Sequence, residues 1–286
     1  MKKSIDKHFS CTDFKLDTSC FYDHNYDDDS VKSKYRVLGN YIVYGEPKSR
    51  PWIMCFGGST TSTIQGSLWV QFLHEKLQAN GINCAIFNGG CGGHNSWNEL
   101  NKMMRDLPFF KPDIVISYSG INDYAFHADI NNPYVNIKGS KELLETSLFS
   151  SLNFPPFSGD HADAFVIRSK YMNSICEING SKFLRILQPT LGFGDYKFDL
   201  DDRLDREFYY YANDPTDGLR NVLLKKFYTN ILRILDIEKL EYICDGSKFL
   251  DGATRSFADY RHPNAAGYDI VANKIVELLF KNGYLA

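Results

Sequence analysis

The sequence WIMCFGGSTT, residues 52–61, carries the strongest indication of the fold. Its first five residues are apolar, and a short apolar run that ends in turn-forming residues is typical of a buried strand in a parallel sheet. Gly57 and Gly58 then allow a sharp turn and leave the backbone N–H groups uncrowded. Ser59 follows at the carboxyl end of this strand, the edge where open α/β sheets bind their ligands. The stretch therefore predicts a parallel α/β sheet with Ser59 at its functional edge.

The composition indicates a globular protein and excludes several classes of partner. The chain has 286 residues, 43% of them hydrophobic, which is enough for one large domain with a substantial core. A formal net charge of −3 gives no electrostatic basis for binding nucleic acid. No apolar run approaches the roughly 20 residues of a membrane span. Seven scattered cysteines without a CxxC pair, and no apolar core of a signal peptide near the N-terminus, predict a cytoplasmic protein.

Apolar runs and helical spacings alternate along most of the chain. The predicted strands cover residues 41–44, 52–56, 82–87, 113–118, 182–187 and 242–244. The predicted helices begin near Ser62 or Thr63 and end at Leu77, and then cover residues 98–106, 162–178, 219–235 and 263–280. Helix-length crossovers between strands require a parallel sheet with helices on both faces. We expect residues 1–50 to be an N-terminal extension packed on a main domain of residues 51–286, with long insertions at 125–160 and 190–255.

Four loops carry the polar groups that acyl transfer requires. Loops after parallel strands converge at one edge of a sheet, so Ser59, Gly93 and Asn122 should meet there. Asp259 and His262 lie just before the last predicted helix, and their spacing lets the carboxylate reach one imidazole nitrogen in a tight turn. A serine hydroxyl becomes a nucleophile when a base takes its proton, and an imidazole does this near neutral pH. We therefore expect Ser59, His262 and Asp259 to act as nucleophile, base and orienting acid.

The same loops offer donors to the oxyanion of a tetrahedral intermediate. The backbone N–H groups of Ser59 and Gly93 and the side-chain amide of Asn122 are the candidates. Removing one such donor typically costs roughly 2.7–4 kcal/mol of transition-state stabilisation.

Four sequence blocks resemble the SGNH (GDSL-type) hydrolase family. They are GGSTT at 57–61, N-x-G-x-x-G-x-x-S from Asn88 to Ser96, GIND at 120–123 and DYRHP at 259–263. The blocks occur in the family's order, with Gly in place of the Asp of the GDS signature. In the family, Gly93 and Asn122 would hold oxyanion positions, and Asp123 would be structural.

The resemblance implies a three-layer α/β/α fold with a five-stranded, mainly parallel, flavodoxin-like sheet. It implies ester hydrolysis or acyl transfer without a metal or cofactor. The N-terminal extension and the two insertions depart from the family, so the resemblance does not assign the substrate. We expect a short acyl ester, with an O-acetylated carbohydrate as one candidate, and an O-acyltransferase as the alternative when an alcohol resolves the acyl-enzyme.

Two other interpretations are open at this stage. Residues 89–93 satisfy G-x-C-x-G, a cysteine version of the nucleophile elbow, in which Cys91 would pair with His262. A non-catalytic binding module is the second, because aromatic residues are plentiful in the loops and could form a carbohydrate or partner surface. The aromatic residues concerned are Tyr124, Phe126, Tyr134, Phe154, Phe157, Phe193, Tyr196, Phe198, Tyr209, Tyr210 and Tyr211.

Overall fold

The computed structural model describes residues 14–17, 21–124, 160–213 and 218–285. The strands in these ranges are β1 (Phe14–Asp17), β2 (Phe21–His24), β3 (Val37–Leu38), β4 (Tyr41–Tyr44), β5 (Trp52–Gly57), β6 (Ala85–Asn88), β7 (Ile114–Ser119), β8 (Lys182–Leu187) and β9 (Ile243–Cys244). The α-helices are α1 (Asp29–Lys32), α2 (Trp69–Ala79), α3 (Ser96–Phe110), α4 (His161–Ile178), α5 (Arg203–Asn213), α6 (Gly218–Glu238) and α7 (Ala265–Lys281). None of these described helices is long and apolar enough to cross a membrane.

The main sheet is parallel at its centre and antiparallel at one edge. Its strand order is β3-β4-β6-β5-β7-β8-β9. The five strands from β6 to β9 in this order are parallel, and they follow the flavodoxin-like order of a doubly wound sheet. This confirms the predicted α/β/α fold class. The predicted number of five strands is wrong by two, because β3 and β4 add an antiparallel pair beside β6 and cover an edge that would otherwise be open.

Helices on both faces bury the central strand β5. Ile53 and Cys55 belong to the core on the side of α2 and α7, whereas Met54 and Phe56 belong to the core on the side of α3 and α4. Successive side chains of a strand point to opposite faces of the sheet, so a strand buried on both faces is apolar throughout. This is why the opening apolar run identifies β5.

Several predicted boundaries differ from the structure. The helix expected from Ser62 or Thr63 begins only at Trp69. A 3₁₀ turn at Thr63–Gln65 precedes it, and Gly66 closes this turn in the left-handed region with φ of 90°. A residue in that conformation ends a helical run. The predicted strand at 82–87 is observed as Ala85–Asn88, and α5 forms within the insertion expected at 190–255, ahead of the helix predicted at 219–235.

Two short strands and a helical turn, β1, β2 and α1, also form before residue 37, where no regular structure was predicted. β1 and β2 make a separate antiparallel pair. The proposed domain boundary near residue 50 falls between β4 and β5, which belong to the same sheet.

Candidate active site

Three polar side chains from two distant parts of the chain form one hydrogen-bonded chain. The Oγ atom of Ser59 lies 2.7 Å from Nε2 of His262, across 203 positions of sequence. The Nδ1 atom of His262 lies 2.9 Å and 3.0 Å from the two carboxylate oxygens of Asp259. Ser59 lies at the end of β5 and the other two residues lie just before α7. The fold thus brings together the three residues that the sequence selected as nucleophile, base and orienting acid.

A tight turn fixes Asp259 beside His262. The Asp259 carboxylate accepts hydrogen bonds from the backbone N–H groups of Arg261 and His262, each at 2.8 Å. An Asp side chain that bonds to the backbone two or three residues onward is a common means of stabilising a turn. Asn264 then caps α7, with its side chain accepting from the N–H of Gly267. The spacing of Asp259 and His262 follows from this turn, which directs both side chains the same way.

The electrostatics of Asp259 favour its ionised form. Burial alone would raise the pKa of this carboxyl, but the hydrogen bond and charge of His262 and the two backbone N–H donors outweigh it, so the pKa lies below its ordinary value. An ionised carboxylate keeps the imidazole proton on Nδ1. Nε2 of His262 is then an acceptor for the Ser59 hydroxyl.

Hydrogen bonds of two buried threonines anchor the turn that carries Ser59. Ser59 itself is partly exposed, while Thr60 and Thr61 are buried. The hydroxyl of Thr60 donates to the side-chain oxygen of Gln188 at 3.2 Å, and that of Thr61 donates to the carbonyl of Tyr118 at 3.2 Å. These bonds tie the turn to the ends of β8 and β7, so Ser59 is presented to solvent on an anchored support.

The two other candidate oxyanion donors lie on neighbouring loops. Gly93 is exposed and adopts φ of 80°, a left-handed conformation that favours glycine. The amide of Asn122 donates to the carbonyl of His94 at 2.9 Å, which links the loop after β7 to the loop that carries Gly93. A Cβ atom at Gly58 would lie 2.6 Å from Nδ2 of Asn122. Gly58 therefore allows the Asn122 amide to pack directly against the serine turn.

A second link joins these two loops through Asp123. Its carboxylate accepts the backbone N–H of Ser96, at 3.2 Å from each oxygen, and also the Ser96 hydroxyl. Ser96 is the first residue of α3, where a negative charge is stabilised by the helix dipole. Nη1 of Arg168 lies 3.7 Å from the Asp123 carboxylate. Asp123 thus fastens the Asn122 loop to the start of α3.

Asn88 connects the serine turn to the glycine-rich loop after β6. Its side-chain amide donates to the carbonyl of Thr61 at 2.9 Å and to the hydroxyl of Thr63 at 2.8 Å. Its side-chain oxygen accepts the N–H of Gly90 at 2.9 Å. One side chain therefore satisfies backbone groups from two of the four loops.

A buried ion pair beneath the loops was not predicted. Nη1 of Arg185 lies 2.8 Å from a carboxylate oxygen of Glu99, and both side chains are at most 1% exposed. Burial raises the pKa of Glu99, although the charge of Arg185 and the hydrogen bond from Ser117 oppose this shift. No local sequence pattern indicates such a pair, because glutamate and arginine side chains are usually found at the protein surface.

The geometry does not favour Cys91 as a nucleophile. Its side chain is fully buried, and the Nε2 atom of His262 is instead paired with Ser59. The two glycines of the G-x-C-x-G pattern at 89–93 have structural reasons of their own, since a Cβ atom at Gly89 would lie 2.5 Å from the Tyr41 ring and Gly93 adopts φ of 80°. Within the residues that the structure describes, no group of three or more His, Cys, Asp or Glu side chains is arranged to hold a metal ion.

The loop aromatic residues mainly serve packing where the structure describes them. The aromatic side chains that pack in the cores, fully or partly buried, are Tyr124, Phe193, Tyr196 and Phe198. Tyr209 and Tyr210 are exposed by 39% and 66%. Phe126, Tyr134, Phe154, Phe157 and the side chain of Tyr211 lie outside the described part of the chain. The described aromatic residues thus offer limited support for a binding surface.

Comparison with known proteins identifies a family and several solved structures with partial similarity. The lipase/acylhydrolase from Enterococcus faecalis is 18% identical, with a TM-score of 0.48 and coverage of 82% of this chain and 97% of that chain. A GDSL-like lipase from Bacteroides thetaiotaomicron VPI-5482 is 16% identical, with a TM-score of 0.46 and coverage of 90% and 98%. A catalytic mutant of Axe2, an acetylxylan esterase from Geobacillus stearothermophilus, is 17% identical, with a TM-score of 0.47 and coverage of 82% and 94%. No curated protein matches the chain significantly. The family model described as GDSL-like Lipase/Acylhydrolase matches residues 53–275.

Proposed function

Because the chain belongs to the GDSL-like lipase/acylhydrolase family and is an SGNH-type hydrolase, we propose that it is a serine esterase with Ser59 as nucleophile, His262 as base and Asp259 as orienting acid. One observation carries the proposal. The Ser59 hydroxyl lies 2.7 Å from Nε2 of His262, whose Nδ1 lies 2.9 Å from Asp259. This continuous arrangement is what activation of a serine hydroxyl requires.

The proposed reaction proceeds through an acyl-enzyme. Oγ of Ser59 attacks the carbonyl carbon of the ester while Nε2 of His262 takes the hydroxyl proton. The ionised Asp259 stabilises the imidazolium that forms. The tetrahedral intermediate then collapses, the C–O bond to the alcohol breaks, and His262 returns its proton to the departing alcohol oxygen. A water molecule repeats the same steps on the acyl-Ser59 ester and releases the carboxylic acid.

We assign the oxyanion to the backbone N–H groups of Ser59 and Gly93 and the side-chain amide of Asn122. The links through His94 and Ser96 support this assignment, because they fix the two donor loops against each other before substrate binds. Donors that are already in place gain most in the transition state, since no reorganisation is required when the negative charge develops.

The proposed substrate is an ester of a short acyl group, and an O-acetylated carbohydrate is the candidate alcohol to test first. Of the loop aromatic residues named in the sequence, Tyr209 and Tyr210 on α5 are the described ones whose side chains are exposed enough to stack on a sugar ring.

The test compares Ser59→Ala with Cys91→Ala as the matched control. We expect Ser59→Ala to abolish hydrolysis of p-nitrophenyl acetate and labelling by a fluorophosphonate probe, and Cys91→Ala to retain both. The reverse result would assign the nucleophile to Cys91. A folded wild-type protein that neither hydrolyses the ester nor takes the label would support the binding module instead.

A panel of acyl lengths and acetylated sugars then defines the substrate. Rates that fall with acyl length support the proposed short acyl group. Adding an acceptor sugar distinguishes hydrolase from O-acyltransferase, since an acyltransferase forms the acylated acceptor in place of free acid.

A further inference from the structure

A polar segment of the N-terminal extension is buried behind the proposed active site. Asp23, His24 and Tyr26 are 0%, 1% and 1% exposed. The match to the family begins only at residue 53, so these residues lie outside the region shared with it. Polar and charged side chains are rarely buried without specific partners. The segment contacts the turn of the proposed nucleophile directly, through His24, and the loop of an oxyanion donor indirectly, through Lys102 on α3.

His24 bonds to the turn that presents Ser59. Its Nε2 atom lies 2.7 Å from the hydroxyl oxygen of Ser62, and both side chains are buried. The backbone N–H of Ser62 donates in turn to the carbonyl of Gly58 at 3.1 Å, which closes the turn around Ser59. The imidazole thus fixes the far end of the nucleophile turn.

Asp23 reaches the loop of the oxyanion donor through Lys102. The carboxylate lies 2.6 Å from Nζ of Lys102, and neither side chain is exposed to solvent. The same ammonium donates to the carbonyl of Gly89 at 3.0 Å, at the start of the loop that leads to Gly93. It also lies 5.8 Å and 5.1 Å from the ring centres of Tyr26 and Tyr41. One buried cation therefore joins the extension, β4 and the glycine-rich loop.

The buried ion pair fixes where the extension can lie. A charge taken from water is tolerated only when it is paired and hydrogen-bonded, so Asp23 must remain beside Lys102. Oδ1 of Asp23 also accepts the backbone N–H of His24 at 2.9 Å. This bond restrains the backbone that carries His24, so the ion pair of Asp23 and the bond of His24 to Ser62 hold neighbouring residues of the extension against both loops.

We propose that Asp23 and His24 are positioning residues of the active site, which hold the Ser59 turn and the Gly93 loop in their catalytic arrangement through Ser62 and Lys102. This inference rests on the proposed esterase function. Both residues are buried and act through other groups rather than on substrate. A displacement of about 1 Å in a reacting group can lower a rate by about 10²-fold, so support of this kind is expected to affect kcat.

The central experiment compares His24→Leu with His24→Gln. Leucine removes the bond to Ser62, whereas glutamine can restore a hydrogen bond from a similar position. With p-nitrophenyl acetate as substrate, we expect His24→Leu to lower kcat by about tenfold to 10²-fold, with KM changed less than about twofold. His24→Gln should recover most of kcat. Asp28→Ala is the matched control. It removes the side-chain cap of α1 in the same extension, where the Asp28 carboxylate accepts the backbone N–H of the nearby Ser30, and we expect wild-type kcat.

A second variant keeps the test decisive if His24→Leu does not fold. Ser62→Ala removes the hydroxyl at the other end of the same bond with little change in volume, and kcat should fall in the same way. In the double variant, kcat should fall no further than in the more affected single variant. Wild-type kcat in folded Ser62→Ala, or losses in the two single variants that multiply, would overturn the proposal. The proposal would also be overturned if the activity lost by His24→Leu and His24→Gln only matched the fraction of each variant that is unfolded.

Hydrogen exchange separates this inference from the proposed function. We expect faster amide exchange in residues 57–66 and 88–95 of His24→Leu, and wild-type exchange there in Asp28→Ala. This readout does not depend on ester hydrolysis. If the wild-type protein hydrolyses no ester, the proposed function fails. If amide exchange is unchanged in His24→Leu, the proposal that the extension holds the two loops in place fails, whatever the esterase result.

Discussion

Replacing Gly58 by Ala places one methyl group between the nucleophile turn and the Asn122 amide. The new Cβ atom would lie 2.6 Å from Nδ2 of Asn122 and 3.0 Å from the carbonyl oxygen of His94. Gly58 is not among the glycines with positive φ, so alanine fits its backbone without strain. The substitution removes no functional group. Its effect therefore comes from steric displacement of a proposed oxyanion donor.

The size of the effect follows from that contact. To reach an ordinary separation of 3.4 Å from the Cβ atom, Nδ2 of Asn122 must withdraw from 2.6 Å, a shift of about 0.8 Å. The backbone carbonyl of His94 is already close to the Cβ atom and gives little room, so the amide has to move. A misplacement of about 1 Å costs about 10²-fold in rate, and complete loss of an oxyanion donor costs about 10²–10³-fold. We expect kcat to fall about 10²-fold, with KM little changed.

The assay is steady-state hydrolysis of p-nitrophenyl acetate by Gly58→Ala, Asn122→Ala and the double variant. Truncating Asn122 removes the atom that clashes, so the double variant should match Asn122→Ala and show no further loss. Gly66→Ala is the control in the 3₁₀ turn that follows, because its φ is 90° and a Cβ atom there meets nothing within 4 Å. It should lower stability by about 1 kcal/mol and retain kcat.

Two results would refute this reasoning. Wild-type kcat in Gly58→Ala would mean that the Asn122 amide is not needed where it lies. Losses that multiply in the double variant, giving about 10⁴-fold or more, would mean that Gly58 acts independently of Asn122.

Three further predictions concern the groups that support the site. Asp259→Asn should lower kcat by about 10⁴-fold, because an amide no longer holds the proton on Nδ1 of His262; a loss under tenfold in steady-state assays would contradict this. Asp123→Asn should lower kcat by about tenfold at unchanged KM. A higher KM at unchanged kcat would instead argue that Asp123 contributes to substrate binding. Arg185→Met should lower the free energy of unfolding by about 3–5 kcal/mol in urea titrations, because Glu99 is left buried and unpaired, and the Arg185→Met/Glu99→Gln variant should recover most of it. Since burial raises the pKa of Glu99 above its value in the unfolded chain, the folded single variant binds more protons, and its stability should rise as pH falls; a loss of stability on acidification would contradict this.

The central sheet could be predicted because its signal is local. β5 is buried on both faces, so Trp52 to Phe56 is apolar throughout, and glycines mark the turn that follows. The convergence of the loops after β5, β6 and β7 follows from parallel topology alone. Asp259 and His262 could be selected because their spacing fits a turn, which the backbone bonds to Asp259 explain.

The features that were missed depend on contacts between distant residues. The start of α2 shifts to Trp69 because Ser62 and Ser67 are used to close the nucleophile turn, with Ser67 bonding to the carbonyl of Thr60. From the sequence, Asp23 is expected to be a solvated residue of an acidic segment. In the structure it is buried and paired with Lys102 on α3. Spacing along the chain carries no information about such partners, because their sequence separation has no fixed value.

The pattern N-x-G-x-x-G-x-x-S can now be understood position by position as a set of contacts. Asn88 bonds to the serine turn, and Gly90 leaves space for Thr61, which a Cβ atom would approach to 2.7 Å. Gly93 adopts the left-handed conformation, and Ser96 bonds to Asp123 beside Asn122.

Three of these four positions support other loops, and Gly93 alone is a candidate to contact the reacting atoms. The reactive groups are partly exposed, whereas most of their supports are buried and less free to vary. The spacing in the pattern is therefore set by the distances between loops. Substitutions at Asn88, Gly90 or Ser96 should consequently lower kcat by displacing the donors and the nucleophile, even though none of these side chains is proposed to touch the substrate.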